Sequence, residues 1–245
     1  MAKKRIDTLL VERELVESRA KAQALIMAGE VMVGGQAVTK SGALVTEEAV
    51  ITIAEPPPFV SRGGLKLDYA LDEFHLDVSG QVAADIGAST GGFTDCLLKK
   101  GASKVYAIDV GYGQLDYRLR QDKRVVVMER VNARYPLSLP AKVDLATIDV
   151  SFISVEKIIP SVADLVKPGG YLVVLIKPQF EARREEVGKG GVIKQPAVHA
   201  LVLGRFIAWA VRHGFRLGGV VASPVLGASG NREFFVLLKL TSASR

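Results

Sequence analysis

The chain has 245 residues, 49% of them hydrophobic and 24% charged, with a formal net charge of +6. That length and balance suit one large or two modest globular units, and the positive charge favours a polyanionic partner, nucleic acid first and an anionic membrane surface second. The single cysteine, Cys96, excludes a disulfide framework and a cysteine-rich metal site. No apolar run approaches the ~20 residues of a membrane span, and Met1-Ala-Lys-Lys-Arg5 lacks the apolar stretch of a signal peptide. A reduced, cytoplasmic protein without a metal is expected.

Residues 1–54 read as a small unit of their own. Ile6, Leu9 and Leu10 give residues 5–14 helical spacing. Ser18 is placed to cap a second helix that carries Ala22, Leu25 and Ile26 on one face and stops at Gly29. Strands are expected over 31–33 and 37–38, joined by Gly34-Gly35 in a tight hairpin, and again over 50–53. Pro56-Pro57-Pro58 is a stiff, extended spacer, so residues 55–60 form a linker and residues 61–245 a second domain.

That second domain alternates. Strands are expected over 82–86, 104–109, 125–128, 143–149 and 171–176, with helices over 65–74, 92–99, 115–121 and 155–166 between them. This β-α-β rhythm argues for a mainly parallel sheet covered on both faces. A polar, glycine-rich loop over 181–191 follows, then a helix over about 197–213 and strands over 217–222 and 233–240. The short loop 223–231 cannot hold a crossover helix, so the last strand must run antiparallel to its neighbour. The fold class expected is α/β, a Rossmann-like seven-stranded sheet of the S-adenosylmethionine methyltransferase kind, with a small N-terminal α+β unit.

Within this frame Asp85-Ile-Gly-Ala-Ser-Thr-Gly-Gly-Phe-Thr94 is a strand end, a glycine turn and a helix start. Open α/β sheets hold nucleotide-like ligands at that point. The spacing is neither G-x-G-x-x-G nor a phosphate loop, so a nucleoside cofactor without phosphates is favoured. Asp85, Gly87, Ala88, Ser89, Gly91, Gly92 and Phe93 are the candidate cofactor contacts. Asp109, at the end of the second strand, is placed to accept hydrogen bonds from ribose hydroxyls. Glu129 and Asn132, after the third, border the expected adenine site.

Four further charges occupy odd places. Asp149 and Lys177 end apolar strands, Glu233 opens the last one, and Lys66 lies in the helix after Ser61-Arg-Gly-Gly64. A lysine on a central apolar strand is costly unless paired, and ligands bind at the carboxyl ends of such strands. Two lysines and two carboxylates form a neutral set suited to a hydroxyl: a desolvated lysine beside another cation can act as a base or steer the proton, while the acids hold both ammonium groups in place. Asp149 is expected to face the cofactor as well.

The order Lys66, Asp149, Lys177, Glu233 resembles the Lys-Asp-Lys-Glu tetrad of the FtsJ-like 2′-O-ribose RNA methyltransferases. The flanks Val60-Ser-Arg-Gly-Gly-Leu-Lys-Leu67, Asp149-Val-Ser-Phe-Ile-Ser154, Leu175-Ile-Lys-Pro-Gln-Phe180 and Gly230-Asn-Arg-Glu-Phe-Phe235 extend the likeness. Nearly the whole chain is similar to the TlyA family, known both as hemolysins and as ribosomal RNA cytidine-2′-O-methyltransferases. In that family pattern a Trp precedes the Val-Ser-Arg segment, where this chain has Pro58-Phe59. The resemblance implies methylation of a cytidine ribose in ribosomal RNA, with S-adenosylmethionine as donor and no DNA partner or stable membrane insertion. Residues 1–54 resemble the alpha-L, S-four-type RNA-binding domain. Lys4, Arg5, Arg19 and Lys21 are its candidate phosphate contacts, and Arg62 is placed to guide the substrate strand. Two rival readings are a membrane-active hemolysin, using the helix over 197–213, and a non-catalytic RNA-binding or ribosome-assembly protein.

Overall fold

The computed structural model describes residues 3–54, 57–188, 190–227 and 229–241. Pro56 of the spacer therefore lies outside the described residues, as do Lys189 and Ala228 in the two late loops. The chain divides into two compact units, Met1–Pro57 and Pro58–Arg245.

The first unit runs β1 (Lys3–Arg5), α1 (Ile6–Glu12), α2 (Arg19–Met27), β2 (Val31–Val33), β3 (Gln36–Ala37), β4 (Leu44–Thr46) and β5 (Ile51–Ile53). Ser18 Oγ accepts the Lys21 backbone N–H and starts α2. Gly34 and Gly35, both at positive φ, turn β2 into β3. Ile6, Leu10, Ala22, Ile26 and Val31 form a small core between the helices and β2. The β1–β4 pair was not expected. Its strands have three residues each and carry mostly polar or exposed side chains, too short to print an alternating pattern.

The second unit runs α3 (Arg62–Glu73), β6 (Val82–Ile86), α4 (Gly92–Lys99), β7 (Lys104–Asp109), α5 (Tyr117–Gln121), β8 (Val125–Glu129), β9 (Val143–Ile148), α6 (Ile159–Ala163), β10 (Val166–Ile176), α7 (Pro178–Glu181), α8 (Pro196–Arg212), β11 (Phe215–Ala222) and β12 (Phe234–Leu240). The sheet order is β11-β12-β10-β9-β6-β7-β8. β12 pairs antiparallel with both β10 and β11, and the other pairings are parallel.

Strict alternation sorts the strand residues into two cores. Ala83, Leu145, Val173, Leu175, Phe235 and Leu237 face α3 and α4. Ala84, Ile86, Ile148, Val174 and Val236 face α6 and α8. Phe206 of α8, 1% exposed, is among the largest side chains in the second core; truncating it to alanine would cost about 3–5 kcal/mol.

One expected helix is corrected. Residues 155–166 form a 3₁₀ turn at Val155–Lys157 and then the short α6, with Pro160 in its first turn. Val166 already belongs to β10, which begins five residues before the strand the sequence suggests. Pro168-Gly169-Gly170 reads as a turn, but here it is an irregularity inside the strand. Val166 pairs with Val143 and the ladder resumes with Tyr171 opposite Leu145. A Cβ on Gly170 would stand 2.5 Å from the Asp144 carbonyl oxygen, so the bend needs glycine.

Candidate active site

The glycine loop is held by its glycines and by a buried acid. Gly87 has φ +84°, and a Cβ there would lie 2.3 Å from the carbonyl oxygen of Asp149. The loop therefore presses directly against the end of β9. Asp85 shares the β6 face of Ala83 and points under α4, not into a cavity. It is fully buried, accepting hydrogen bonds from Thr94 Oγ1 at 2.7 Å and Thr147 Oγ1 at 3.1 Å. Burial pushes its carboxyl up to about 7, against the two threonine bonds that favour the charged form. Asp85 thus ties β6 to α4 and β9, and does not line the candidate ligand site. Gly91, also expected there, packs against Leu115 and Leu119 at the start of α4.

The four charged residues do meet. A cavity of about 340 Å³ is lined by Lys66, Asp149, Lys177 and Glu233 together with Arg62, Gly87, Ala88, Ser89, Thr90, Gly92 and Phe93. Topology explains the convergence. β9 and β10 are parallel, β9 ending at Ile148 opposite Val174 and β10 running two residues further to Ile176, opposite which antiparallel β12 begins. Lys66 arrives from α3, whose first turn crosses that of α4 closely. A Cβ on Gly92 would sit 2.9 Å from the Gly64 backbone nitrogen.

Lys66 Nζ donates to Glu233 Oε2 at 2.6 Å, the two side chains being 11% and 3% exposed. Lys177 Nζ lies 2.6 Å from Asp149 Oδ1 and donates to Ser151 Oγ at 2.9 Å. The Lys177–Asp149 approach is an ion pair without hydrogen-bond alignment, and among the described residues Asp149 Oδ1 is buried with no hydrogen-bond donor.

A second cavity of about 500 Å³ shares Gly87, Ser89 and Asp149 with the first. Its walls are largely apolar, with Ile86, Ile108, Val131, Ile153 and Ile158, and its polar contributors include Asp109 and Asn132. Asp109 accepts the backbone N–H of Ser89 at 2.8 Å and of Gly111 at 2.6 Å, which fixes the carboxylate and leaves lone pairs for hydroxyls. Glu129 is not brought to this wall. It accepts the Gly113 N–H at 2.8 Å and pairs with Arg120, bracing the loop after β7. Thr90, Gln114, Ser151 and Phe152 line the cavities without having been singled out by sequence. Phe152 is 91% exposed at φ +64° with its ring 5.1 Å from that of Phe180. An exposed ring held in a strained backbone beside a cavity is a platform on which a base can stack. The flanking motif contained Phe152, but nothing in its spacing marked it.

In the first unit the expected basic residues divide. Lys4 is countered by Glu12 at 2.8 Å and Glu47 at 3.1 Å. Arg5 and Arg19 both pair with Asp7, and Lys21 stands exposed in the first turn of α2. Arg62 lies in the second unit, on the wall of the tetrad cavity.

Residues 59–240 match the FtsJ-like methyltransferase family, and residues 4–51 match the S4 domain. The chain belongs to the FtsJ-like methyltransferase family. Among its relatives, YqxC of Bacillus subtilis (strain 168) is 49% identical over 242 residues, covering 96% of this chain and 85% of that protein. The 16S/23S rRNA (cytidine-2′-O)-methyltransferase TlyA of Mycobacterium tuberculosis is 42% identical over 239 residues, covering 96% and 89%. A solved structure from Streptococcus thermophilus, a hemolysin by name, superposes with a TM-score of 0.74 at 43% identity over 99% of this chain and 90% of that one. These likenesses bear out the expected family and fold class: the α/β unit is a methyltransferase fold, preceded by an S4 domain. Among the described residues no helix is long and apolar enough to cross a membrane. The helix weighed as a lytic segment, α8, turns Val202, Phe206 and Ala210 into the core.

Proposed function

We propose that this chain transfers a methyl group from S-adenosylmethionine to the 2′-oxygen of a cytidine in ribosomal RNA, as a cytoplasmic enzyme. The observation that carries the reading is the pairing of Lys66 with Glu233 and Lys177 with Asp149 on one cavity that also contains the glycine loop. The neighbouring cavity suits a nucleoside sulfonium: apolar walls for adenine, Asp109 for the ribose hydroxyls, Asn132 at the base edge and Gly87 where a side chain could not fit. When bound there, the cofactor supplies an electrophilic methyl on a positively charged sulfur.

The chain's own groups do the rest. Ala88, Ser89, Gly92 and Phe93 shape the wall between cofactor and substrate. Asp149, lining both cavities, faces the two reactants. Lys177, held by Asp149 and Ser151, is placed to serve as the base for the 2′-hydroxyl proton or to steer it away. Lys66, fixed by Glu233, provides a second cation beside the oxygen as charge develops on it. The two adjoining cavities would act mainly by positioning the 2′-oxygen toward the methyl group of the cofactor. Arg62 guides the substrate strand into the cavity. Arg5, Arg19 and Lys21 of the S4 unit grip RNA phosphates; Lys4, already held by two glutamates, is a lesser contributor.

The test is transfer of tritium from labelled S-adenosylmethionine into ribosomal subunits or their RNA. Label at an alkali-resistant linkage is expected, because a 2′-O-methyl group blocks cleavage by the neighbouring oxygen. Label in an alkali-sensitive linkage, or in the base, would refute ribose methylation.

A further inference from the structure

Asp7 is an acid in an unusual position. It sits in the first turn of α1, 0% exposed, in the unit proposed to bind RNA. Arg5 grips it from the side, Nε to Oδ1 at 3.0 Å and Nη2 to Oδ2 at 2.9 Å. Arg19, from α2, donates Nε to Oδ2 at 3.1 Å, and Gln23 one turn later donates to the same oxygen at 3.0 Å. These bonds hold the carboxyl far below the usual carboxylate range, the Arg5 bonds most of all.

The arithmetic of charge is the point. One buried carboxylate stands between two guanidinium groups, so the cluster keeps a net positive charge. Its two cations are 47% and 55% exposed while the anion is sealed off. Arg5 uses two of its five N–H donors on Asp7 and Arg19 uses one. The remaining donors are available to a ligand. Arg13 is a contrast in the same unit, since both its terminal nitrogens donate to the backbone carbonyls of Glu47 and Ala49. Two flexible arginines brought together without an anchor would repel and lose rotamer freedom on binding; held by a common buried anion, they meet a ligand already ordered.

We infer that Asp7 is a positioning residue that presents Arg5 and Arg19 as one preformed clamp for RNA backbone phosphates. The inference rests on the proposed RNA-binding role of this unit. It goes further in naming the acid that makes the two arginines act together.

The experiment is a coupling cycle on the full chain, with naked ribosomal RNA as the probe at several KCl concentrations and a thermal melt for every variant. R5Q/R19Q should flatten the salt slope by about 1.4–1.8, the value of two phosphate contacts. D7N should weaken binding about tenfold and remove at least half of that slope. Added to R5Q/R19Q, D7N should change affinity less than twofold and raise the melting temperature, since the acid has lost its cations. Q23A, which removes only one bond to Oδ2, should weaken binding two- to threefold with a near-native melt, and serves if D7N unfolds the unit. Equal loss from D7N in both backgrounds, or unchanged binding by Q23A where D7N does not fold, would overturn the positioning role alone. An unchanged salt slope in R5Q/R19Q would overturn the RNA-binding reading of the unit and the clamp with it.

Discussion

Replacing Lys66 by methionine separates what its ion pair does for the fold from what it does for the chemistry. The variant leaves Glu233, 3% exposed, without the cation that stands 2.6 Å away. Removing one partner of a buried pair costs roughly 3–5 kcal/mol, whereas replacing both by apolar groups of similar volume is often neutral or stabilising. For a unit of this size each kcal/mol moves the melting temperature by about 2–4 °C, so K66M should melt roughly 6–20 °C lower. The double variant K66M/E233L should recover most of that loss, because no charge remains to be buried. Neither should transfer methyl groups, since both lack the second cation at the reacting oxygen. Differential scanning fluorimetry and tritium transfer read the two effects side by side. A double variant no more stable than K66M would refute the electrostatic reasoning. A double variant that still methylates would remove Lys66 and Glu233 from the proposed mechanism.

Lys177→Ala should abolish transfer while leaving affinity for S-adenosylmethionine, measured by calorimetry, within a few-fold; a large affinity loss would assign Lys177 to the cofactor cavity instead. Removing residues 1–57 should weaken RNA binding and flatten its salt dependence, and an unchanged slope would count against the S4 unit as the electrostatic anchor. Asp85 titrates near 7 in the folded chain and near 3.8 when unfolded, so between those values the folded state holds the extra proton and stability falls as pH rises. Asp85→Asn should remove that part of the pH dependence; chemical denaturation from pH 4 to 8 with the same slope as the native chain would contradict the buried, raised acid.

The second unit was legible because its signals are long and agree with one another. β6, β7 and α4 have the residue bounds the pattern indicates, and the antiparallel last strand follows from a loop too short for a helix. Three members of the tetrad could be assembled for the same reason, since Asp149, Lys177 and Glu233 each flank a strand whose polarity fixes its edge, while Lys66 comes from α3. Three things were hidden. The β1–β4 pair has too few residues to show a period. The early start of β10 was masked by Pro168-Gly169-Gly170, where chain chemistry says turn and the neighbouring strand wins. The functions of Asp85 and Glu129 were blurred because sequence position marks a strand end, while burial under Thr94 and capture by Arg120 are decided by packing across the fold. Asp7 was invisible for a related reason: its partners Arg19 and Gln23 come from another helix.

The proposed activity makes one site-level demand on ribosomal RNA. Ribose methylation mapped across the small and large subunits should reveal a cytidine 2′-O-methyl group in cells carrying the native chain that is missing when Lys177 is alanine. Identical maps from the two, with native protein present and folded, would contradict the account.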